Sequence, residues 1–337
     1  MSRLRKLGFL TIGLFDEADP AAGHETTLRM IELGERLGFD SAWVRHRHLQ
    51  FGISSPVAVL AAASQRTSRI ELGTAVTPLG WENPLRLAED LATVDLLSGG
   101  RLNPGVSVGP PMHYDLVRDA LYPHSADLED FGDERLERFL RAVAGEPVPA
   151  WKGTEGFEVF SDRVQPHSPG LRSRLWYGAA SLGSARRAGK LGMHLLTSSV
   201  VRAEGSSDGF AAIQRRHIDA FREENPTGRV SQGLVVVPTD SATPEQRDRY
   251  FAYAAARTPR TAAPQGPAGM LFARDLVGTS AEIAEQLQAH AGYQAVDEVV
   301  FALPFTFRPE DYEQILTDIA TKLAPELGWV PATSPVG

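Results

Sequence analysis

Arg45, His46, Arg47 and His48 follow one another directly after the apolar run Ser41-Ala42-Trp43-Val44. Two imidazoles beside two guanidiniums could move protons and hold negative charge. A free histidine titrates at about pH 6.5, whereas an arginine stays protonated and cannot act as a base. A second cluster is Ser181-Leu182-Gly183-Ser184. Two hydroxyls and the unpaired amides of a helix start can receive a phosphate; N-capping by one serine is the alternative. Thr74-Ala75-Val76-Thr77, Ser107 ahead of Gly109, and Thr197-Ser198-Ser199 are further polar strand ends. No metal site is expected, because His46 and His48 are read as facing apart and failing to converge on one ion without a bend. The chain carries no His-Glu-x-x-His, P-loop or strand-linked Gly-x-Gly-x-x-Gly fingerprint. No serine nucleophile is expected.

These clusters need elements to hold them. Strands are expected at Leu7–Gly13, Ser41–Arg47, Ile70–Thr77, Leu102–Gly109, Leu175–Ala180, His194–Val200, Gly233–Pro238 and Glu298–Phe305. Amphipathic helical patterns lie between them, as at His24–Leu37 and Pro84–Leu97, the latter with Gly99-Gly100 just past its end. The strands are too apolar to have a wet side, which points to a parallel sheet covered by helices. Eight such units favour a single (β/α)₈ TIM barrel over residues 1–337, with a doubly wound domain plus a second domain as the alternative. In a barrel, the site is expected at the carboxyl ends of the strands. Two interruptions read as insertions. One covers 110–174, with a hairpin expected at Phe157–Val164; the other, 258–276, contains PRTAAPQGPAG and reads as a mobile loop.

Of 337 residues, 42% are hydrophobic and 23% charged, which suits a folded domain with a sizeable core. The net charge of −8 gives no support to nucleic-acid or membrane-surface binding. The absence of cysteine excludes disulfides, thiolate metal sites and cysteine nucleophiles. With no apolar run long enough to span a membrane and no signal-peptide cleavage pattern at the start, a cytoplasmic location is expected.

Several stretches resemble the bacterial luciferase-like flavin monooxygenases. LGFDSAWVRHRH (37–48) resembles that family's LGFD-x-x-W segment, which ends in paired histidines. RTSRIELGTAVTPLGWENPLRLAEDLATVDLLSGGRL (66–102) is similar almost throughout, and LWYGAASLGSARRAGKLG (175–192) resembles the phosphate segment. LVGTSAEIAEQL (276–287) and DEVVFALPF (297–305) resemble the closing region.

The resemblance implies a barrel that takes FMN, as FMNH2, at the strand ends. It implies a cis peptide between Ala75 and Val76 supporting the flavin ring, and a phosphate held by Ser181, Gly183 and Ser184. The implied reaction is oxygenation of an apolar or aromatic organic substrate, such as a secondary metabolite. O2 would react through a C4a-(hydro)peroxyflavin. No domain for reducing flavin is evident, so a separate NAD(P)H:flavin reductase would supply FMNH2, and a homodimer is usual in the family. F420-dependent hydride transfer on the same barrel and a non-catalytic flavin-binding homologue are the alternatives.

Two departures from the family bear on the site. Aligned from Trp43, the family's Glu-His-His becomes His46-Arg47-His48, so an arginine stands where the base would be. His48 is then the implied proton-transfer group, with His46 in contention, and Arg47 would stabilise an anion. Ser107-Val108-Gly109 replaces a segment that carries a phosphate-binding arginine, for which Arg186 or Arg187 could substitute. His113 and Tyr114 could line the substrate side.

Overall fold

The computed structural model describes residues 4–148 and 152–331. Residues 1–3, 149–151 and 332–337, which belong to the expected domain and in part to the first insertion, lie outside the described residues.

Eight parallel strand positions pair in sequence. The first strand, Lys6–Thr11, lies between the second, Ser41–Val44, and the eighth, Glu298–Ala302. The third has two parts, Glu71–Thr74 and Thr77–Pro78, flanking Ala75-Val76; the fourth has Leu102–Asn103 and Gly105–Ser107, flanking Pro104. The earlier parts pair with each other and the later parts pair with each other. Gly105–Ser107 then pairs with the fifth strand, Trp176–Gly178. The fifth pairs with the sixth, His194–Thr197, and the sixth with the seventh, Val230–Gln232. The seventh pairs with the eighth, which completes the circuit. The outcome is an α/β fold with one curled parallel sheet of ten strand segments, ending at Thr77–Pro78 and Leu102–Asn103 of the two interrupted strands.

The interruptions have local causes. Pro104 has no amide to give to the ladder. Thr74 fills the gap, donating from Oγ1 to the Gly105 carbonyl at 2.8 Å and accepting from its amide at 2.9 Å. The strands approach so closely there that a Cβ on Gly105 would stand 2.2 Å from the Thr74 carbonyl oxygen.

Helices follow each strand and cover the outside, including Pro20–Arg36, Pro56–Ser64, Pro84–Leu97, Asp133–Ala144, Leu182–Lys190 and Phe210–Glu224. Several begin with proline at a first-turn position, where its missing amide costs no hydrogen bond. Among the described residues no helix is long and apolar enough to cross a membrane.

The inside of the ring holds Trp43, Trp176, Leu196 and Val300, with Leu10, Ala75 and Val76 against them. The two tryptophans meet edge to face at 5.4 Å. Below them, at the amino ends of the strands, charge closes the ring. Arg229 reaches Glu71 at 2.9 Å and Glu298 at 2.9 Å, and its guanidinium lies 4.8 Å from the centre of the Trp176 ring. Lys6 completes the network by pairing with Glu71. The opposite, carboxyl end is where Arg45–His48, Ser107 and Ser181 lie.

The seventh strand differs from expectation. The ring uses Val230–Gln232, whereas Val236–Pro238 leaves it to pair with Leu276–Gly278. The apolar run LVVVP attracts the assignment by composition. Ser231 and Gln232 nonetheless occupy fully buried ring positions, and Gln232 donates to Gln214 at 2.6 Å.

A hairpin pairs Gly153–Glu155 with Glu158–Phe160, upstream of the span expected. In the later insertion, Met270–Phe272 pairs antiparallel with Val200–Arg202.

Candidate active site

The carboxyl end of the second strand sets the site. Trp43 points into the ring, whereas Ala42 and Val44 pack into the surrounding hydrophobic core. Extended chain alternates sides with a period of two. The extended segment continues, with the Arg47 amide donating to the Ile53 carbonyl at 2.7 Å. Arg45 and Arg47 thus share the side of Trp43, and His46 and His48 the side of Val44. The expectation that the histidines face apart is overturned: their rings lie 4.3 Å apart, as the two-residue period requires.

Glu82 completes the histidine side. His46 is wholly buried, and its Nε2 lies 3.7 Å from a Glu82 carboxylate oxygen. His48 stacks on Trp81, with ring centres 4.0 Å apart and planes 17° from parallel. Neither His46 Nε2 nor His48 Nε2 has a hydrogen-bond partner. The donor atoms of His46, His48 and Glu82 all lie within 4.8 Å of one another, a convergence of the kind a metal ion could use. Burial pulls His46 down to about 4, assisted by the neighbouring His48, and lowers His48 as well. Burial, with the charge of Asp90 behind it, pushes Glu82 up to about 7. Near neutrality the cluster therefore offers two uncharged imidazoles beside a carboxyl group poised between its two forms.

Arg135 holds this segment in place. Its buried guanidinium donates to the carbonyls of Glu82 at 2.8 Å, Leu79 at 3.3 Å and Asp130 at 2.7 Å, and pairs with Glu129.

The Ala75–Val76 peptide is cis. Val76 leans toward the fifth strand, where a Cβ on Gly178 would stand 2.7 Å from it. Ser107 ends the fourth strand at the same rim, half-buried and opposite Pro78.

Ser181 caps the helix Leu182–Lys190 in a reciprocal box with Ser184. The Ser184 amide donates to Ser181 Oγ at 3.2 Å, and the Ser181 amide to Ser184 Oγ at 3.0 Å. The Leu182 amide donates to a Glu204 carboxylate oxygen at 2.9 Å. Glu204, at φ +50°, also lies 3.2 Å from His217 Nε2. Open space surrounds the Cα of Gly183. This turn can hold an anion, and a carboxylate of the chain itself occupies one of its amides.

The arginines considered as phosphate partners are engaged elsewhere, Arg187 with Asp133 at 2.7 Å and Arg186 with Glu223 at 3.3 Å. The backbone of Arg202 adjoins the turn, its amide donating to the Ala180 carbonyl at 2.6 Å. Tyr114 donates to the Ala126 carbonyl within the first insertion, and His113 precedes its helix at φ +56°.

The structure thus brings His46 and His48 together with Glu82 and sets Arg47 beside Arg45 on the other side. Ser181, Gly183 and Ser184 form a separate turn at the exit of the fifth strand. Trp81 and Glu82 were passed over in the sequence, although GWENP lies inside its most distinctive block.

The family model described as luciferase-like monooxygenase matches residues 6–297. The chain belongs to this family. A 4-hydroxyprotoasukamycin monooxygenase of Streptomyces nodosus subsp. asukaensis is 32% identical over 222 residues, 62% of this chain and 57% of that protein. An F420-dependent glucose-6-phosphate dehydrogenase of Amycolatopsis mediterranei is 36% identical over 113 residues, 32% of this chain and 31% of that protein. The chain thus spans less than two thirds of the length of the curated relatives it matches.

Among solved structures, monooxygenase RslO1 from Streptomyces bottropensis superposes with a TM-score of 0.71 at 22% identity, covering 95% of this chain and 99% of that one. The oxygenating constituent of 3,6-diketocamphane monooxygenase from Pseudomonas putida, solved with FMN, gives 0.67 at 16% identity, covering 96% and 99%. These likenesses establish the luciferase-like barrel fold. Luciferase-like relatives use FMN or F420.

Proposed function

We propose that this luciferase-like protein is a monooxygenase that takes reduced FMN from a separate NAD(P)H:flavin reductase. With O2 it oxygenates an apolar or aromatic organic compound, and it acts as a homodimer. The observation that carries the reading is the sharing of one open ring end by a protonatable cluster and a hydroxyl-lined helix start, in a chain with monooxygenase relatives. Reduced flavin, when bound, supplies the electrons that activate O2.

The chain's own residues do the rest. Ser181, Ser184 and the first-turn amides bind phosphate, with Arg202 beside them. Val76 and the ring interior offer an apolar floor that excludes water. His48, uncharged and stacked on Trp81, accepts or returns a proton at Nε2, and Glu82 holds the proton within the cluster. Arg47, which cannot serve as a base, stabilises negative charge.

The test is titration of the purified protein with FMN, FMNH2 and F420, followed by aerobic turnover with a flavin reductase. Binding of FMNH2 with protein-dependent oxygenated product supports the proposal. Tight F420 binding with negligible FMN affinity replaces it with hydride transfer, the chemistry named for the Amycolatopsis mediterranei relative. Flavin binding without product leaves the non-catalytic flavin-binding homologue, and failure to bind either cofactor overturns the proposal.

A further inference from the structure

The arginine side of the second strand has no part in the proton chemistry. Arg45 continues the inward line of Trp43, one residue pair nearer the open end of the ring. Among the described residues, neither the Arg45 nor the Arg47 guanidinium makes a hydrogen bond or an ion pair. Other half-buried arginines find acceptors: Arg69 on the carbonyls of Glu35 and Phe39, Arg101 on four backbone carbonyls, Arg174 on Asp95. Half-buried cations without counter-charge, as Arg45 and Arg47 are, are unfavourable unless a ligand completes them.

A third guanidinium joins them from another element. Tyr253 Oη accepts from the Phe305 amide at 3.2 Å, which ties the helix Pro244–Arg257 to the exit of the eighth strand. The first strand lies between the eighth and the second, so the exits carrying Phe305 and Arg45 flank a single neighbour. Arg257 lies 4.6 Å from the centre of the Tyr253 ring and 5.5 Å from that of Phe305. Arg257 has a carboxylate, Asp275, but shares it with Arg260. Arg257 and Arg260 therefore divide one acid between them, and it is not paired with Arg45 or Arg47. Burial, then the positive charges of Arg47 and Arg257, bring Arg45 down to about 10, so it remains a cation at neutral pH.

We propose that Arg45, Arg47 and Arg257 form an anion-binding subsite at the open end of the ring, which takes the carboxylate or phenolate of an aromatic organic acid as substrate. Planar guanidiniums match a carboxylate in two-point contact, and the rings of Tyr253 and Phe305 supply an aromatic wall. This deepens the proposed function, and it rests on that reading only for the word substrate. A cofactor phosphate shares the anionic chemistry, and the experiment separates the two sources.

The experiment uses the whole protein without flavin. Melting temperature and calorimetric titration are read with sodium benzoate, sodium 4-hydroxybenzoate and uncharged benzamide, for the wild type, Arg45→Met and Arg45→Lys. Benzoate and 4-hydroxybenzoate are expected to bind and raise the melting temperature, and benzamide is not. Arg45→Met is expected to weaken benzoate binding about tenfold, with Arg45→Lys between it and the wild type. The ligand-free melting temperature of Arg45→Met should be no lower than the wild type's, since no partner is lost.

Equal binding of benzoate and benzamide, unchanged benzoate affinity in Arg45→Met, or a lower ligand-free melting temperature would each overturn the proposal. FMN and riboflavin affinities are compared in the same variants. Loss of the preference for FMN over riboflavin in Arg45→Met would assign the subsite to cofactor phosphate and overturn the substrate assignment. Failure of the flavin reading leaves the benzoate arm intact, so the two failures are distinguishable.

Discussion

Replacing Glu82 by glutamine removes a carboxyl group whose ionisation the fold resists. Glu82 lies 3.7 Å from a fully buried imidazole, and its pKa rises from 4.5 to about 7, through burial first and Asp90 second. Folding therefore binds the proton more tightly than unfolding does. The resulting stability is fully present below the unfolded pKa and is lost as pH rises through about 7. A rise of that size corresponds to about 3 kcal/mol between the two protonation states. The side chain keeps 28% of its surface exposed. Solvent screening reduces the expected effect to about 2 kcal/mol.

Glu82→Gln should accordingly exceed the wild type by only about 0.5 kcal/mol at pH 5 and by about 2 kcal/mol at pH 8.5. Urea unfolding followed by tryptophan fluorescence at the two pH values measures the difference. His46 shifts in the opposite sense: its depressed pKa contributes stability above about 6.5, lost as pH falls toward about 4. It does so in both proteins, so the comparison isolates Glu82. The same stability difference at both pH values, or a Gln variant weaker at pH 8.5, would refute the assignment of a resisted charge at this position.

Three other substitutions probe the cradle and the proton path. Gly178→Ala places a Cβ 2.7 Å from Val76, so it should cost about 1–3 kcal/mol in thermal unfolding and weaken FMN binding while leaving the circular dichroism unchanged. Glu204→Gln removes the anion from the Leu182 amide; fluorescence titration should show FMN, but not riboflavin, binding about fivefold more tightly. His48→Ala should lower aerobic turnover at least about a hundredfold with FMN affinity retained, and unchanged turnover would remove His48 from the proton path.

The ring itself is legible in the sequence because eight apolar runs alternate with helical patterns, and parallel strands buried on both faces leave that signature. Its failure at the seventh strand is instructive. Val230-Ser231-Gln232 reads as surface, yet the ring buries it by giving Gln232 a partner in Gln214, which no local pattern announces. At the second strand the two-residue period was available and suffices to place both histidines on one side and both arginines on the other. Their chemistry was not available there. Glu82 becomes a neutral-range titrating group only because Trp81, the histidines and the Arg135-anchored loop enclose it. Arg257 approaches Arg45 only because the helix Pro244–Arg257 docks on the exit of the eighth strand. Ser181 and Ser184 could be read as a cap or as an anion site, and the structure shows the cap formed with one amide held by Glu204.

The ion pairs of Arg229 with Glu71 and Glu298, roofed by Trp176, make the ring a cup with a single doorway. On the proposed function, traffic through it is last in, first out: a flavin resting beside Trp43 and Val76 arrives before the acid that touches the arginines at the rim, and waits for that acid to leave. Order of binding is thereby written into depth, with no moving part needed to enforce it.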